Sequence, residues 1–119
     1  MENVNIKTFD EMIGKTITET DGATFKASDG TVFEFYHSQD CCESVDVDDI
    51  VGELSDLLDS PLLMAEEVST EGAREVERAN SITWTFYRFA TLKGTVTVKW
   101  LGESNGYYSE SVDFRIINP

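Results

Sequence analysis

The 119-residue chain has only two cysteines, two prolines and one histidine, and it sets 9 lysines and arginines against 23 aspartates and glutamates. Each shortage closes off a class of protein. Cys41 and Cys42 are neighbours, and adjacent residues bond only through a strained ring, so a disulfide scaffold is excluded. The expectation is two reduced thiols, one of them buried as a small hydrophobe. The longest apolar runs, such as Leu62 to Ala65, fall far short of the roughly 20 residues that cross a bilayer. Glu2 and Asp10 stand where a secretory leader carries basic and then apolar residues, so a cytoplasmic location is expected. A formal net charge of −14 argues against direct contact with nucleic acid or an anionic membrane, since both are polyanions.

Core-forming residues are plentiful. At 40% hydrophobic and 11% aromatic, the chain is too rich in them for a disordered acidic polymer, and its length suits one domain over residues 1–119. Thr8 to Gly14 reads as one helical turn, with Thr8 as N-cap, Glu11 as its capping-box partner and Gly14 as the stop. The runs Thr16–Thr18, Ala23–Lys26 and Thr31–Tyr36 are β-branched and aromatic. Asp21-Gly22 and Ser28-Asp29-Gly30 separate them, which predicts a three-stranded meander. A further short strand is expected over Glu43 to Val47. Leu62 to Val68 suits a strand or a helical turn, and polar Ser69 to Asn80 a flexible connection.

From Asp48 to Asp59 the apolar residues Ile50, Val51, Leu54, Leu57 and Leu58 fall at helical spacing, with Asp49, Glu53 and Asp56 opposite, and Pro61 follows. That pattern predicts an amphipathic helix over Asp48 to Leu58. The last third alternates strictly. Trp84 and Phe86 oppose Thr85, Tyr87 and Phe89, and Val96, Val98 and Trp100 oppose Thr95, Thr97 and Lys99. Tyr107 to Ile117 is expected to return as a third strand beside them. The expectation is therefore an α+β domain, an antiparallel sheet of six to eight strands packed against one main helix.

Little in the sequence carries catalytic or metal chemistry. A Cys-His mechanism has His37 with Cys41 or Cys42 to draw on, and Asp40, Glu43 and Asp46 nearby raise a thiol pKa instead of lowering it. Zinc lacks a fourth soft ligand beyond His37, Cys41 and Cys42. A calcium loop counted from Asp46 would need a glycine and a glutamate where Val51 and Leu57 stand. No glycine-rich phosphate loop occurs, so no cofactor and no catalytic residue is expected.

The charge distribution is more informative. Between Lys26 and Arg74 there is no lysine or arginine, while the same 47 residues hold thirteen acids. One reading is a solvated face that maintains solubility. The other is a surface that imitates the phosphate track of nucleic acid and occupies the basic groove of a nucleic-acid-binding protein. On that reading the contact residues are Asp40, Glu43, Asp46, Asp48, Asp49, Glu53, Asp56 and Asp59, with Tyr107 as an aromatic anchor.

Three segments carry a resemblance: Asp40-Cys41-Cys42-Glu43, the stretch Gly52 to Leu57, and Trp100 to Val112 with its Ser104-Asn105-Gly106-Tyr107-Tyr108-Ser109 core. Through them the chain, over roughly Phe33 to Phe114, resembles a family of small uncharacterised proteins found largely in bacteriophage genomes. The resemblance implies a setting in a bacterial host cell, where small acidic phage proteins block host machinery such as CRISPR effectors; it supplies no activity and no site residues. Aromatics on both faces of Ser81 to Ala90 also point to homodimerisation or a partner, and to a phage structural or assembly subunit as the alternative role.

Overall fold

The computed structural model describes residues 9–39, 42–71, 81–105 and 109–118. A single 3₁₀ turn, Phe9–Met12, opens the described chain. The strands β1 (Ile17–Thr20), β2 (Thr24–Ala27) and β3 (Val32–Tyr36) follow, then β4 (Ser44–Val51) and a second 3₁₀ turn at Leu54–Leu57. The strands β5 (Met64–Glu71), β6 (Ser81–Thr91), β7 (Gly94–Ser104) and β8 (Asp113–Ile117) complete it. They form two antiparallel four-stranded sheets, ordered β1-β2-β3-β8 and β4-β7-β6-β5. Among the described residues no helix is long and apolar enough to cross a membrane.

The meander arises as the turn chemistry requires. Asp21 accepts hydrogen bonds from the backbone N–H groups of Ala23 (2.9 Å) and Thr24 (2.8 Å), closing the β1–β2 turn with Gly22 at φ +100°. The Thr24 bond in particular holds the Asp21 carboxyl below its ordinary range, against the opposing effect of partial burial.

The expected α+β architecture is overturned, because the segment foreseen as the main helix is divided between the end of a strand and one 3₁₀ turn. Residues Ser44–Val51 pair with β7 from Ser44↔Glu103 to Val51↔Thr97, with an irregularity between Val47 and Asp49. Val45, Val47, Ile50 and Val51 are β-branched, and the extra residue at Asp48 resets the alternation so that Ile50 still packs against the core. The foreseen stripe is a join of two elements: Ile50 and Val51 end the strand, while Leu54, Leu57 and Leu58 belong to a 3₁₀ turn and its cap, so helical spacing arises without a helix. Only Leu54–Leu57 is helical, as one 3₁₀ turn, with Leu57 fully buried.

Gly52 ends β4 at φ +109°, where a Cβ would lie 2.6 Å from the Thr95 carbonyl oxygen and 3.2 Å from Val96 Cα. Both the conformation and the space require glycine. Gly52→Ala is expected to lower the unfolding free energy by about 2 kcal/mol; an unchanged urea midpoint would show that the β4 end relaxes freely.

The second correction concerns β8. It does not return beside β7 but crosses to the other sheet, pairing with β3 from Val32↔Ile117 to Tyr36↔Asp113, and β7 takes β4 as its neighbour instead. The two sheets then face each other across aromatic side chains. Phe25 lies 4.7 Å from Phe89 and Phe35 lies 4.6 Å from Tyr87 between ring centres, while Val96, Val98 and Trp100 fill the β7 side. The overall extents are 44 × 34 × 18 Å, and the shortest suits two stacked sheets spaced about 10 Å apart with their side chains. The first sheet therefore covers the apolar side of the second, the role expected of the helix.

Candidate functional site

The carboxylates foreseen as a contact surface separate into three groups. Asp46, Asp48 and Asp49 are exposed on β4, an edge strand of the second sheet. Exposed Glu53 follows the end of β4, whereas half-buried Asp56, at the second 3₁₀ turn, lies against Gly94 in the β6–β7 turn. Among the described residues, none of these five forms an ion pair with a lysine or arginine. Four of the cations bind acids elsewhere: Lys15 with Asp29, Lys26 with Glu19, Arg115 with Glu34, and Arg88 with Glu66. The first sheet is thus largely neutralised by its own cations, and the β4 edge is not.

Two expected members do not join them. Glu43 is only 3% exposed and faces inward, and Asp59, at φ 60°, is held beside β1 by its N–H donating to the Ile17 carbonyl (2.7 Å). Asp40 and Tyr107 lie outside the described residues. Alternation places one unforeseen acid on this surface: Glu103 follows Thr95, Thr97 and Lys99 in parity, and it lines a shallow depression with Ser44, Asp46, Asp48 and Leu101.

Glu43 belongs to a buried polar cluster. His37 Nε2 lies 2.7 Å from Glu43 Oε2, with the side chains 5% and 0% exposed, and His37 Nδ1 donates to the Ser111 carbonyl at 2.9 Å. Both ring nitrogens thus face acceptors, which favours the imidazolium. Burial of the ring works against that charge. The Glu43 carboxylate and the Ser111 carbonyl outweigh it, with Asp113 adding to them, and the His37 pKa is raised above 6.5. Glu110, also buried, accepts hydrogen bonds from Thr83 Oγ1 (2.7 Å) and Ser104 Oγ (2.6 Å), and its backbone packs against Gly102. The cluster joins β3, β4, β6, β7 and the segment before β8 at one end of the molecule.

This arrangement engages the residues a Cys-His mechanism would use. His37 has no nitrogen left over to act as a base, and Cys42 is disulfide-bonded, which corrects the expectation of reduced thiols. The other cysteine, Cys41, lies outside the described residues. No group of three or more His, Cys, Asp or Glu side chains among the described residues is placed to hold a metal ion.

The Cys42-Glu43 and Ser104-Asn105 elements, far apart in sequence, meet here; Cys42, Ser44, Glu103, Ser104 and Asn105 line one shallow surface depression. No curated protein and no solved structure matches the chain. A family model described as a domain of unknown function matches residues 10–114; that description carries no phage or anti-CRISPR role and names no α+β fold. With all but the ends of its length matched, the chain belongs to the family of the domain of unknown function DUF7448.

Proposed function

We propose that the protein is a non-enzymatic binding protein whose acidic β4 edge docks in the basic groove of a nucleic-acid-binding host protein and competes there with nucleic acid. The observation that carries this reading is the group Asp46, Asp48 and Asp49 on the β4 edge, with exposed Glu53 just beyond its end, none in an ion pair with a lysine or arginine among the described residues, set against a first sheet whose cations are paired. Exposed carboxylates on an edge strand also discourage pairing with other chains. That protection does not account for Glu53 beyond the strand end, where no edge needs guarding. Unpaired carboxylates retain long-range attraction for lysine and arginine, which accelerates encounter and weakens as salt rises.

The test is capture from bacterial lysate by immobilised wild-type protein and by the D46N/D48N/D49N variant, with and without competing duplex DNA. The expected result is a set of nucleic-acid-binding proteins held only by the wild type and released by DNA or by raised salt. The three side chains are exposed, so the variant should keep its melting temperature within a few degrees, as surface substitutions usually do. Identical capture by both proteins overturns the reading.

A further inference from the structure

The register of the second sheet sets a grid on its outer face. One row across the strands reads Asp46, Leu101, Trp84; the next reads Asp49, Lys99, Phe86, Val68. Trp84 and Phe86 are only half-buried, with ring centres 6.4 Å apart, and Val68 is 46% exposed. No element of the described chain covers this face. It is an aromatic strip bordered on the β4 side by unpaired carboxylates.

Lys99 shows what such a strip attracts. Its partner in register is Asp49, yet its ammonium makes no ion pair there and sits 5.1 Å from the Trp84 ring centre and 6.0 Å from that of Phe86. The negative ring faces thus have over them a cation, which the quadrupole of an aromatic ring attracts. A planar guanidinium suits the same position better than an ammonium, because it stacks on the ring and still directs N–H groups outward to carboxylates. The rings and the β4 acids are two strands apart, roughly 10 Å, a span that two neighbouring basic side chains cover.

Resting on the reading of the β4 edge as a cation-binding surface, we propose that the Trp84–Phe86 strip makes this site selective for arginine. It stacks the guanidinium groups of an arginine-bearing segment of the partner while Asp46, Asp49 and Glu103 take the adjoining positive charge. A second copy of this chain is the wrong occupant: each copy carries a formal net charge of −14, and two such chains repel. Free nucleic acid is repelled for the same reason.

The test titrates the full chain with a ten-residue arginine peptide and a ten-residue lysine peptide at low and moderate salt, following tryptophan fluorescence. Trp100 is 5% exposed and faces the core, so the ligand-dependent signal reports on Trp84. The arginine peptide is expected to bind about five- to tenfold more tightly than the lysine peptide. Trp84→Leu with Phe86→Leu should abolish that preference and keep the salt-sensitive binding, read by calorimetry. Lys99→Met, which removes the competing cation, should tighten arginine binding several-fold, a gain that misfolding cannot imitate. Equal affinity of the two peptides for the wild type, or no gain on Lys99→Met, overturns the proposal and leaves the acidic edge intact. Failure of D46N/D48N/D49N to weaken either peptide would instead sink the reading on which it rests.

Discussion

Replacing His37 by alanine is expected to lower the unfolding free energy by about 3–5 kcal/mol, because it strips a cation 2.7 Å away from a carboxylate with no solvent exposure. Stability of a domain this size is about 5–15 kcal/mol, so the loss takes a large share of it. Glu43→Ala should cost a similar amount for the mirror-image reason. Joint replacement by His37→Gln and Glu43→Gln should cost clearly less than the sum of the singles, since the two effects share one interaction. The pair also makes stability depend on pH with a definite sign. His37 has its pKa raised in the folded state, so its contribution is complete below 6.5, the value of the free side chain, and is lost as pH rises through the folded value. Melting temperature should therefore fall from pH 6.5 upward in the wild type and show a flatter profile in the double variant. A wild-type profile that rises over this range would mean that the proton sits elsewhere in the cluster.

The second large effect is expected at Phe35. Its ring lies 5.9 Å from Phe25 and 4.8 Å from Phe114 in its own sheet, and 4.6 Å from Tyr87 and 5.8 Å from Phe89 in the other. It is 2% exposed. No described side chain stitches the two layers through more ring contacts, so truncation opens a cavity lined by residues that are fixed on separate sheets. Phe35→Ala should cost about 3–5 kcal/mol, and Phe35→Leu, which restores most of the volume, roughly 1–1.5 kcal/mol. Urea denaturation with an unchanged slope checks both. A loss below about 1 kcal/mol for the alanine variant would show that the sheets hold together without the aromatic bridge.

Local patterning determined a good deal. The Asp-Gly turns and β-branched runs gave the β1–β2–β3 meander, and strict alternation separated Tyr87 and Phe89 from Trp84 and Phe86 on β6, and Val96, Val98 and Trp100 from Lys99 on β7; which of the two aromatic β6 faces is buried came from the pairing of the sheets. These signals are legible because each depends on neighbours in sequence: a turn on two or three residues, a face on a period of two. The absence of lysine and arginine over residues 27–73 is equally local, but it did not show that cations from outside the stretch pair with Asp29, Glu34 and Glu66 and leave the β4 acids without one.

Only the tertiary structure decided the rest. Whether Ile50, Leu54 and Leu57 line a helix or straddle a bulged strand and a 3₁₀ turn depends on β7 offering β4 its free edge, a partner about fifty residues away. Which sheet receives β8 depends on the exposed edge of β3, again remote in sequence. The inward turn of Glu43 required a histidine from the end of β3 and a carbonyl from the segment before β8 to stabilise a charge that burial alone would reject. Sequence pattern fixes which face a side chain takes relative to its neighbours; the identity of what lies across from it is set when distant strands meet, because only then are hydrogen bonds, buried area and charge compensation defined together.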